Sequence, residues 1–475
     1  MAMNETYVLL GVGGSGMSSL AHILLDRGEN VFGYDKKDSK QKDALKARGL
    51  EIFTTLSDCL DNIPSNSTLV YSTAISIDSL NHPSKEFQIM HRSALLHKLF
   101  SEKKAISIAG SHGKTTTTAM VAGVLMDHNL SPSIMVGGDV PLLDYKGGLW
   151  GKGNYAVYES DESDGTFLNH SADYRIITNI DDDHLDHYKE KKYLLHAFEE
   201  YASQSDFYKT ILYLGDKGIR EIIPNLNNDE NIILVGQKSD FESIAQNLIN
   251  QKENSKFNLD KFYKIYQIEI NDSSGIFYIG NKSYEYRIPF LGEHYLINAS
   301  LAIALCVELG LDIESIIHSL ANYKGVKRRL EILGNYQQTK ILDDYGHHPT
   351  EVKAVISSLQ KEKTKNNFVK TIVLFQPHRF TRTELFCKEF AEALSLSDEI
   401  YLLPIYSAGE IAKDGISSEL IQAELSKLGR NSRILNGGIE EDAKFLRSIL
   451  KNKNILVTLG AGDVWKWGIE ILKSN

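Results

Sequence analysis

The chain has 475 residues, of which 42% are hydrophobic and 24% are charged. This composition is typical of a folded protein and excludes a disordered one, and the length gives a prior of about three domains. The formal net charge of -10 argues against a broad basic surface, so we expect no nucleic-acid partner.

Targeting and cysteine signals point to one compartment. No apolar run approaches the ~20 residues that a membrane span needs, and the polar N-terminus has no signal-peptide pattern. Cys59, Cys306 and Cys387 are far apart and lack any C-x-x-C spacing, which excludes a disulfide framework and a cysteine-based metal site. We therefore expect a cytoplasmic protein without a membrane partner.

The N-terminal segment alternates strand, glycine-rich turn, helix and strand. The apolar run Tyr7–Leu10 predicts a first strand, helical spacing predicts a helix from Met17, and Val31–Tyr34 predicts a second strand. Gly11–Gly16 fits the pattern G-x-G-x-x-G, and Asp35 follows the second strand. Such glycines let a pyrophosphate approach a helix N-terminus. The pattern predicts a diphosphate site, with NAD the first candidate on this fingerprint alone, against the alternative of a turn without a ligand.

A second strand–turn–helix unit follows. Ala105–Ile108 predicts a buried strand and Gly110–Gly113 a turn, and a helix begins at Lys114. The segment departs from the phosphate-loop pattern G-x-x-x-x-G-K-[ST], because Ile108 occupies the place of the first glycine. The shorter G-x-x-G-K-T form still puts Lys114 and Thr115 at a helix N-terminus, where the lysine can hold phosphates and the hydroxyl can bind Mg²⁺. We therefore expect an ATP site.

Two acidic segments follow predicted strands. Glu159–Asp164 begins at the end of the strand Tyr155–Glu159, and Asp181–Asp186 comes after the strand Arg175–Asn179. Carboxylates at the strand ends of an α/β sheet face the ligand crevice, and beside a phosphate loop they favour a Mg²⁺ site over a solvated acidic loop. His184 is an unusual ligand for Mg²⁺, which prefers oxygen.

The remaining chain predicts a polar stretch and a third α/β unit. Residues 225–290 predict insertions and antiparallel strands, including Phe262–Ile270, and helical periodicity resumes at Asn298–Leu309. From about Lys340 strands and helices alternate again, with strands at Thr371–Phe375, Glu399–Leu403 and Asn454–Thr458 and helices at Glu384–Leu396 and Ser418–Leu428. The sequence thus indicates three α/β units in series.

Basic and histidine-containing segments of the third unit indicate anion binding. Lys327–Arg329 alone is typical of surface charge. His378, Arg379 and Arg382 follow a predicted strand, where arginine forks and a helix N-terminus favour a carboxylate or phosphate. His347-His348 also follows a predicted strand, and these two histidines could equally be loop residues satisfied by the backbone.

In their order along the chain, these segments resemble the Mur ligase family, the ATP-dependent amide-forming enzymes that assemble the peptide stem of bacterial peptidoglycan. The resemblance spans the chain and rests on Gly11–Met17, Gly110–Thr117, Glu159–Asp164, Asn179–His184, Gly292–His294 with Asn298, Gly325–Arg329, Asp343–Glu351, Gln376–Thr383 and Leu459–Asp463. It changes one expectation, because in this family the N-terminal glycine fingerprint holds the diphosphate of a UDP-sugar and no NAD is used.

The resemblance implies an α/β fold of three domains. Residues 1–104 would form a Rossmann-like domain that binds the UDP-sugar, residues 105–323 a central P-loop ATPase domain with a mixed sheet, and residues 324–475 a C-terminal Rossmann-like domain that contacts the amino acid and the nucleotide. The implied activity joins L-alanine to the lactoyl carboxylate of UDP-N-acetylmuramate through an acyl phosphate, with ATP and Mg²⁺, in a monomer or weak homodimer.

The resemblance also assigns roles residue by residue. It implies UDP-sugar contacts at Gly11, Gly13, Gly14, Ser15, Gly16, Met17, Asp35 and Ser72. It implies ATP contacts at Gly110, Ser111, His112, Gly113, Lys114, Thr115, Thr116, His294, Asn298, Arg329 and Asp344, and L-alanine contacts at His348, His378, Arg379 and Arg382. Mg²⁺ would be held by Thr115, Glu159 and His184, and catalysis would rest on Lys114, Glu159, His184 and Arg329.

Several alternatives stay open. A peptidoglycan-recycling ligase, which attaches a preformed tripeptide to the same UDP-sugar, shares most of these motifs, and an NAD- or nucleotide-binding sensor explains the first unit. The family usually has His-Asn-x-x-Asn where this chain has His294-Tyr-Leu-Ile-Asn298. Tyr295 therefore removes one amide from the implied adenine contact, and it is the only hint of a degenerate, inactive relative. His184, His347 and His348 are all candidates for the base that deprotonates the amine.

Overall fold

The structure of the protein is a computed structural model that describes residues 5–72, 75, 76, 80, 82, 84–144, 146–169, 171–183, 185–204, 209–226, 229–250, 262–436 and 438–473. The chain divides into two compact units. One comprises Met1–Ile270, Ser274–Ile288 and Leu296–Lys324, and the other comprises Asn271–Ser273, Pro289–Tyr295 and Gly325–Asn475. Among the described residues, no helix has both the length and the apolar character that a membrane crossing requires.

A five-stranded parallel sheet opens the first unit, in the order β3-β2-β1-β4-β5. Its strands are β1 (Thr6–Leu10), β2 (Asn30–Tyr34), β3 (Glu51–Phe53), β4 (Thr68–Tyr71) and β5 (Gln88–His91), and its helices are α1 (Ser15–Arg27), α2 (Lys40–Ala47), α3 (Leu56–Asn62) and α4 (Arg92–Phe100). Tyr7 and Leu9 pack into the core on one face of β1, and Val8 and Leu10 pack on the other. The chain leaves β1 toward opposite sides through β2 and β4, so the crevice at their carboxyl ends is the expected ligand position.

A ten-stranded sheet also belongs to the first unit, in the order β15-β14-β13-β12-β11-β10-β6-β9-β7-β8. Its strands are β6 (Lys104–Ala109), β7 (Ser133–Met135), β8 (Gly148–Leu149), β9 (Tyr155–Glu159), β10 (Tyr174–Ile177), β11 (Lys209–Tyr213), β12 (Ile232–Gln237), β13 (Lys264–Ile270), β14 (Gly275–Ile279) and β15 (Lys282–Tyr286). The helices that follow these strands are α5 (Lys114–Asp127), α6 (Leu185–Tyr188), α7 (Lys191–Ser203), α8 (Lys217–Ile222), α9 (Lys238–Asn250), α10 (Glu293–Glu308) and α11 (Ile313–Ala321).

The pairing in this sheet corrects one prediction. Antiparallel strands are confirmed for β13, β14 and β15, but the reading of residues 225–290 as insertions and antiparallel strands throughout is wrong for β12. That strand pairs in parallel with β11 and with β13. Residues Ile232–Val235 are buried, and such a continuous apolar run is typical of a strand covered on both faces. The polar, asparagine-rich flanks concealed this signal in the sequence.

The second unit contains a six-stranded sheet in the order β16-β17-β21-β18-β19-β20. Its strands are β16 (Glu331–Tyr336), β17 (Thr339–Asp344), β18 (Thr371–Phe375), β19 (Glu399–Leu402), β20 (Ser432–Ile434) and β21 (Ile455–Leu459), and its helices are α12 (Pro349–Asn366), α13 (Phe380–Leu394), α14 (Glu419–Lys427), α15 (Ile439–Ile449) and α16 (Trp465–Leu472). Among the strands that the structure describes in this sheet, only β16 pairs antiparallel. The predicted third alternation of strands and helices is confirmed, and with it the α/β class.

Candidate functional site

The first glycine loop follows β1 and is braced from within its own sheet. Gly11 has a φ of +80°, and its N–H donates to the carbonyl of Tyr34 at 2.7 Å. The N–H of Gly13 donates to Oδ2 of Asp35 at 2.8 Å, and a Cβ at Gly13 would stand 2.8 Å from that oxygen. The other carboxylate oxygen of Asp35 accepts the N–H of Lys37. The Asp35 carboxylate therefore fixes the shape of the loop by accepting hydrogen bonds from backbone N–H groups.

The loop leads into α1, whose first amides have no partner within the helix. The helix is preceded by Gly14, which has no side chain to cap it, so the N–H groups around Ser15 and Gly16 can receive an anion. Met17 is buried in the core, 4% exposed, and only its backbone can face a ligand. Ser72 directly follows β4, the neighbour of β1 in the sheet. The helix N-terminus and Ser72 therefore lie at the predicted crevice, an arrangement that suits a diphosphate.

The phosphate loop follows β6 and is held by the segment after β10. Ile108 of β6 lies opposite Glu159 of β9, and Ala109 lies opposite Ile177 of β10, so the carboxyl ends of three strands meet at one edge. Gly110 has a φ of +129°, and a Cβ there would stand 2.2 Å from Oγ1 of Thr178. Only glycine fits this position without rearrangement.

Further bonds fix the turn of the phosphate loop. The hydroxyl of Thr178 donates to the carbonyl of His112 at 2.6 Å, and the N–H of His112 donates to Oδ1 of Asn179 at 2.8 Å. Ser111 donates its N–H to the carbonyl of Asn179, and its hydroxyl accepts the N–H of Asp181 at 2.8 Å. The His112 ring lies 3.1 Å from the Asp181 carboxylate. These hydrogen bonds therefore hold the loop in its turn without a ligand contact.

Lys114 begins α5 and folds back over this loop. Its Nζ donates to the carbonyl of Gly110 at 2.5 Å and to Oε1 of Glu162 at 2.7 Å, and the Glu162 side chain is fully buried. Burial alone would lower the pKa of Lys114, but the charge and hydrogen bond of Glu162 outweigh it and raise that pKa. The lysine is therefore a fixed cation. Its partnership with Glu162 is a site feature that the sequence did not single out.

Two of the predicted Mg²⁺ ligands lie at the start of α5 and at the end of β9. Thr115 is the second residue of α5, and Thr116 is 4% exposed. Oε1 of Glu159 accepts the N–H of Gly137 at 2.8 Å, which fixes that carboxylate. Hydroxyl and carboxylate oxygens are the ligands that Mg²⁺ prefers, so Thr115 and Glu159 fit the ion. His184, the third predicted ligand, lies outside the described residues.

Asp216 is a buried carboxyl that fixes the segment carrying Asp181. Its Oδ1 accepts the N–H of Ile180 at 3.0 Å and that of Ile219 at 2.8 Å. Burial raises the pKa of Asp216 to about 6, whereas an aspartate in an unfolded chain titrates near about 3.9. Since the folded state binds this proton more tightly, the stability contributed by the neutral carboxyl is present at low pH and is lost as the pH rises from about 4 to about 6.

We expect Asp216→Asn to gain stability relative to the wild type as the pH rises. Asparagine keeps the accepting oxygen and never ionises, so the relative gain between pH 4 and pH 7 should be on the order of 2–3 kcal/mol. Denaturant unfolding at several pH values measures it. Asp312→Asn, at an exposed helix N-cap, serves as the control and should show no comparable gain. A stability difference that is the same at every pH would contradict the prediction.

Two predicted adenine contacts lie in the two units separately. In the first unit, the side chain of Asn298 lies against the phosphate loop, because a Cβ at Gly113 would stand 2.9 Å from its Oδ1. In the second unit, burial lowers the pKa of His294 to about 4, and the charge of Arg329 adds to the effect. The His294 imidazole is therefore neutral at physiological pH.

Tyr295, the departure from the family pattern, is a packing residue. It is 2% exposed, and its ring stacks on Phe290 with centroids 5.5 Å apart. We expect Tyr295→Asn to lower the free energy of unfolding by on the order of 3 kcal/mol, because it removes a buried ring and leaves an amide in its place. Tyr295→Phe, which keeps the ring, should stay close to the wild type. Thermal unfolding compares the two variants, and equal melting temperatures would contradict the prediction that the Tyr295 ring stabilises the fold.

Adjacent arginines at the start of the second unit have different partners. Arg328 donates through Nε to Asp343 at 2.9 Å and through its terminal nitrogens to the carbonyls of Gly460 at 2.6 Å and Gly462 at 2.9 Å. It therefore holds the loop after β21. Arg329 lies 3.3 Å from Glu351, and its guanidinium is 5.3 Å from the ring centroid of Tyr345. The residue pattern alone did not distinguish these two arginines, and only the family resemblance assigned a role to Arg329.

Asp344, a predicted nucleotide contact, braces the backbone. Its oxygens accept the N–H groups of Leu330 and Gly346, each at 2.7 Å. Burial raises its pKa to about 6, while the charge of Arg329 acts in the opposite direction. Asp344 lies opposite Leu459 of β21, which in turn lies opposite Phe375 of β18. The segments that follow these three strands therefore converge at one edge of the third sheet.

The predicted anion residues lie at that edge. Arg379 precedes α13 with a φ of +68°, and its N–H donates to the carbonyl of Tyr406 at 2.8 Å. The His378 ring stacks on Tyr406, with planes 9° apart and centroids at 5.7 Å. Burial lowers the pKa of His378 to about 4, and the charges of Arg382 and Arg379 add to this. The site thus combines two cations with a neutral imidazole.

His348 occupies the start of α12 at the same edge. It is 3% exposed, and its ring contacts Phe386 of α13 edge-on, with centroids 5.0 Å apart. His347 meets His378 edge-on at 5.6 Å, and its N–H donates to Glu351 at 3.0 Å. Tyr406, which stacks on His378, lies in a loop that carries no recognisable motif, so the sequence offered no signal for it.

Three domain models of the Mur ligase family match the chain in succession. The catalytic domain matches residues 6–104, the middle domain residues 108–306 and the glutamate ligase domain residues 328–462. The chain is 37% identical over 471 residues to the UDP-N-acetylmuramate--L-alanine ligase of Dictyoglomus turgidum, covering 98% of this chain and 95% of the relative.

Two further comparisons agree with this match. The ligase of the same name from Carboxydothermus hydrogenoformans is 35% identical over 469 residues, covering 98% of this chain and 95% of the relative. The crystal structure of UDP-N-acetylmuramate-alanine ligase MurC from Thermotoga maritima superposes with a TM-score of 0.76 and 25% identity, covering 99% of this chain and 98% of that one. The likeness therefore extends over the whole length in both sequence and fold.

Proposed function

The chain belongs to the Mur ligase family, and on that premise we propose how it joins L-alanine to the lactoyl carboxylate of UDP-N-acetylmuramate with ATP. It is an ADP-forming amide-bond ligase of peptidoglycan precursor synthesis. The observation that carries this conclusion is the full-length likeness to relatives that bear this activity in their names. That likeness also favours L-alanine over the tripeptide of a recycling ligase.

We assign one substrate to each proposed domain. Residues 1–104 bind the UDP-sugar, with its diphosphate on the amides around Ser15 and Gly16. Residues 105–323 bind ATP on the loop Gly110–Thr116. Residues 324–475 bind L-alanine and complete the nucleotide contacts. The division is supported by the glycine loop and the phosphate loop, which follow interior strands of two separate sheets.

The chemistry begins with activation of a poor acylating group. The lactoyl carboxylate attacks the γ-phosphorus of ATP, the bond to the bridging oxygen of ADP breaks, and an acyl phosphate forms. Lys114 and Arg329 neutralise the negative charge that builds on the transferring phosphoryl group. Thr115, Glu159 and His184 would hold Mg²⁺, which supplies additional charge neutralisation at the phosphates when it is bound.

Amide formation follows when the amine of L-alanine attacks the acyl carbon and phosphate leaves. Arg379 and Arg382 hold the alanine carboxylate as planar forks, and His378 and His348 line the same edge. His184, His347 and His348 remain the candidates for the base. We further propose that the chain works in the cytoplasm as a monomer or a weak homodimer.

The test of this function is a coupled assay of ADP release with Mg-ATP and UDP-N-acetylmuramate. L-alanine is compared with the tripeptide L-Ala-γ-D-Glu-diaminopimelate, and the product mass is determined. ADP release only with L-alanine, together with UDP-N-acetylmuramoyl-L-alanine as the product, supports the proposal. Activity only with the tripeptide would move the chain to recycling, and no activity with either would favour a nucleotide-binding sensor.

A further inference from the structure

Arg92 lies between the first glycine loop and the acidic segment Glu159–Asp164 of the first unit. It is the first residue of α4, and its Nη1 lies 2.9 Å from the point that a Cβ on Gly16 would occupy. Its Nη2 donates to Oδ2 of Asp161 at 3.1 Å, and Asp164 is 4.0 Å away. One end of the guanidinium therefore faces the first turn of α1, and the other end faces the acidic segment beside Lys114.

Its position opposes the electrostatics of the fold. The N-terminus of a helix carries a partial positive charge, and a cation placed there is unfavourable. Arg92 stands at the N-terminus of its own helix, which has no acidic residue in its first turn, and it also packs against the first turn of α1. Asp161 offsets this charge at one end of the guanidinium. An anion at the first turn of α1 would offset it at the other.

The glycine loop does not need Arg92 for its shape. The loop is already fixed by the Tyr34 carbonyl and the Asp35 carboxylate. The side chain of Arg92 is 26% exposed, so it remains accessible from the crevice. The role left for Arg92 beside the glycine loop is electrostatic. A planar guanidinium can bind one anion through Nη1 and a second anion through Nη2.

We propose that Arg92 binds the diphosphate of the UDP-sugar through Nη1 while Nη2 stays on Asp161, so that Asp161 positions the arginine. This inference rests on the proposed function for the identity of the ligand. Asp161 lies in the acidic segment Glu159–Asp164. In this proposal it is a positioning residue, because it holds Arg92 and does not touch the substrate itself. The UDP-sugar site and the acidic segment next to Lys114 are thereby coupled, and such coupling is reciprocal.

The test measures UDP affinity by calorimetry. Arg92→Gln should weaken UDP binding by about 10- to 100-fold, the range expected for a lost charge-assisted bond, and should make the affinity less dependent on salt. Asp161→Asn should weaken binding by about threefold to tenfold in the wild type and by less than about twofold in the Arg92→Gln background. A merely structural role for Arg92 would not produce this pattern.

Arg27 offers a matched control. It also bridges a helix of the first sheet to another element, pairs with Glu102 at 2.8 Å and is 19% exposed. Arg27→Gln should therefore leave UDP affinity unchanged even where it lowers the melting temperature. If Arg92→Gln does not fold, Arg92→Lys replaces it, because lysine keeps the charge but loses the fork of two nitrogens. The effect of Asp161→Asn on UDP affinity should then disappear in the Arg92→Lys background.

Two outcomes would overturn the inference. One is wild-type UDP affinity in a folded Arg92→Gln variant, and the other is an Asp161→Asn effect that persists without Arg92. Neither outcome bears on ligase activity, which the ADP-release assay of the wild type decides separately. Conversely, a wild type that binds UDP through Arg92 but forms no product refutes the ligase proposal alone.

Discussion

Replacing Lys114 with alanine should lower the rate of ADP release by about a thousandfold or more, while UDP binding stays near the wild-type value. The lysine is fixed over the phosphate loop by Gly110 and Glu162 and keeps its charge. Its ammonium would meet the β- and γ-phosphates of ATP, where negative charge builds during transfer. No other lysine is placed in the described part of this loop.

The same substitution has a second consequence, for stability. Glu162 is fully buried, and the substitution removes the cation that Lys114 places beside its carboxylate, which costs on the order of 3–5 kcal/mol. The double variant Lys114→Ala with Glu162→Gln should recover most of that stability but none of the turnover. Measuring unfolding and ADP release on both variants therefore separates the two effects.

Lys264 provides the matched control for Lys114. It lies on β13, which three other strands separate from β6 in the sheet, and pairs at 2.8 Å with Glu308 at the end of α10, whose side chain is 6% exposed. Lys264→Ala should lose stability and keep turnover. If Lys114→Ala turned over at a rate similar to Lys264→Ala, the assignment of the ATP site would be wrong.

Arg329→Ala should lower the maximal rate by about a thousandfold, the lower end of what a charge-neutralising arginine contributes to phosphoryl transfer. Its side chain is 21% exposed and pairs with Glu351, so the guanidinium keeps access to a ligand. UDP affinity should not change, because the proposed UDP-sugar site lies within residues 1–104 and the role proposed for Arg329 is at the ATP phosphates. Steady-state kinetics with saturating L-alanine and calorimetry with UDP check both parts.

Its neighbour Arg328 should behave in the opposite way. Arg328→Ala removes bonds to Gly460 and Gly462 and leaves Asp343 buried without its cation. We expect a loss of on the order of 3–5 kcal/mol in the free energy of unfolding. The opposite result would contradict both assignments. In that case Arg328→Ala would be stable with low turnover, and Arg329→Ala would be unstable with normal turnover.

Local signals were sufficient to predict most strands and both glycine loops. The apolar runs at Tyr7–Leu10 and Ala105–Ile108 are confirmed as parts of β1 and β6, because a buried parallel strand needs such a run whatever its neighbours are. Gly11 and Gly110 have the positive φ values that the turns require. The backbone geometry of such turns is determined by a few consecutive residues and can therefore be predicted from the sequence.

Partnerships between distant side chains could not be predicted in this way. Four carboxylates lie within Glu159–Asp164, and the sequence does not say which one meets Lys114; the turn after β9 decides that it is Glu162. Arg328 likewise looks like ordinary surface charge, because its partners Gly460 and Gly462 follow more than 130 residues later. Such choices depend on how the strands are ordered in the sheet.

The neutral ring of His378 bears on the protonation of an incoming amino acid. Arg379 and Arg382 both lower the pKa of that imidazole, and their field would act in the same sense on a zwitterion whose carboxylate they are proposed to hold. It attracts the carboxylate and disfavours the ammonium, which lowers the pKa of the amino group. Capture of the carboxylate thus shifts the bound molecule toward its free-amine form. An amino-acid amide or ester has no carboxylate for the arginines to bind. We therefore expect it to bind more weakly and to keep the ordinary pKa of its amino group.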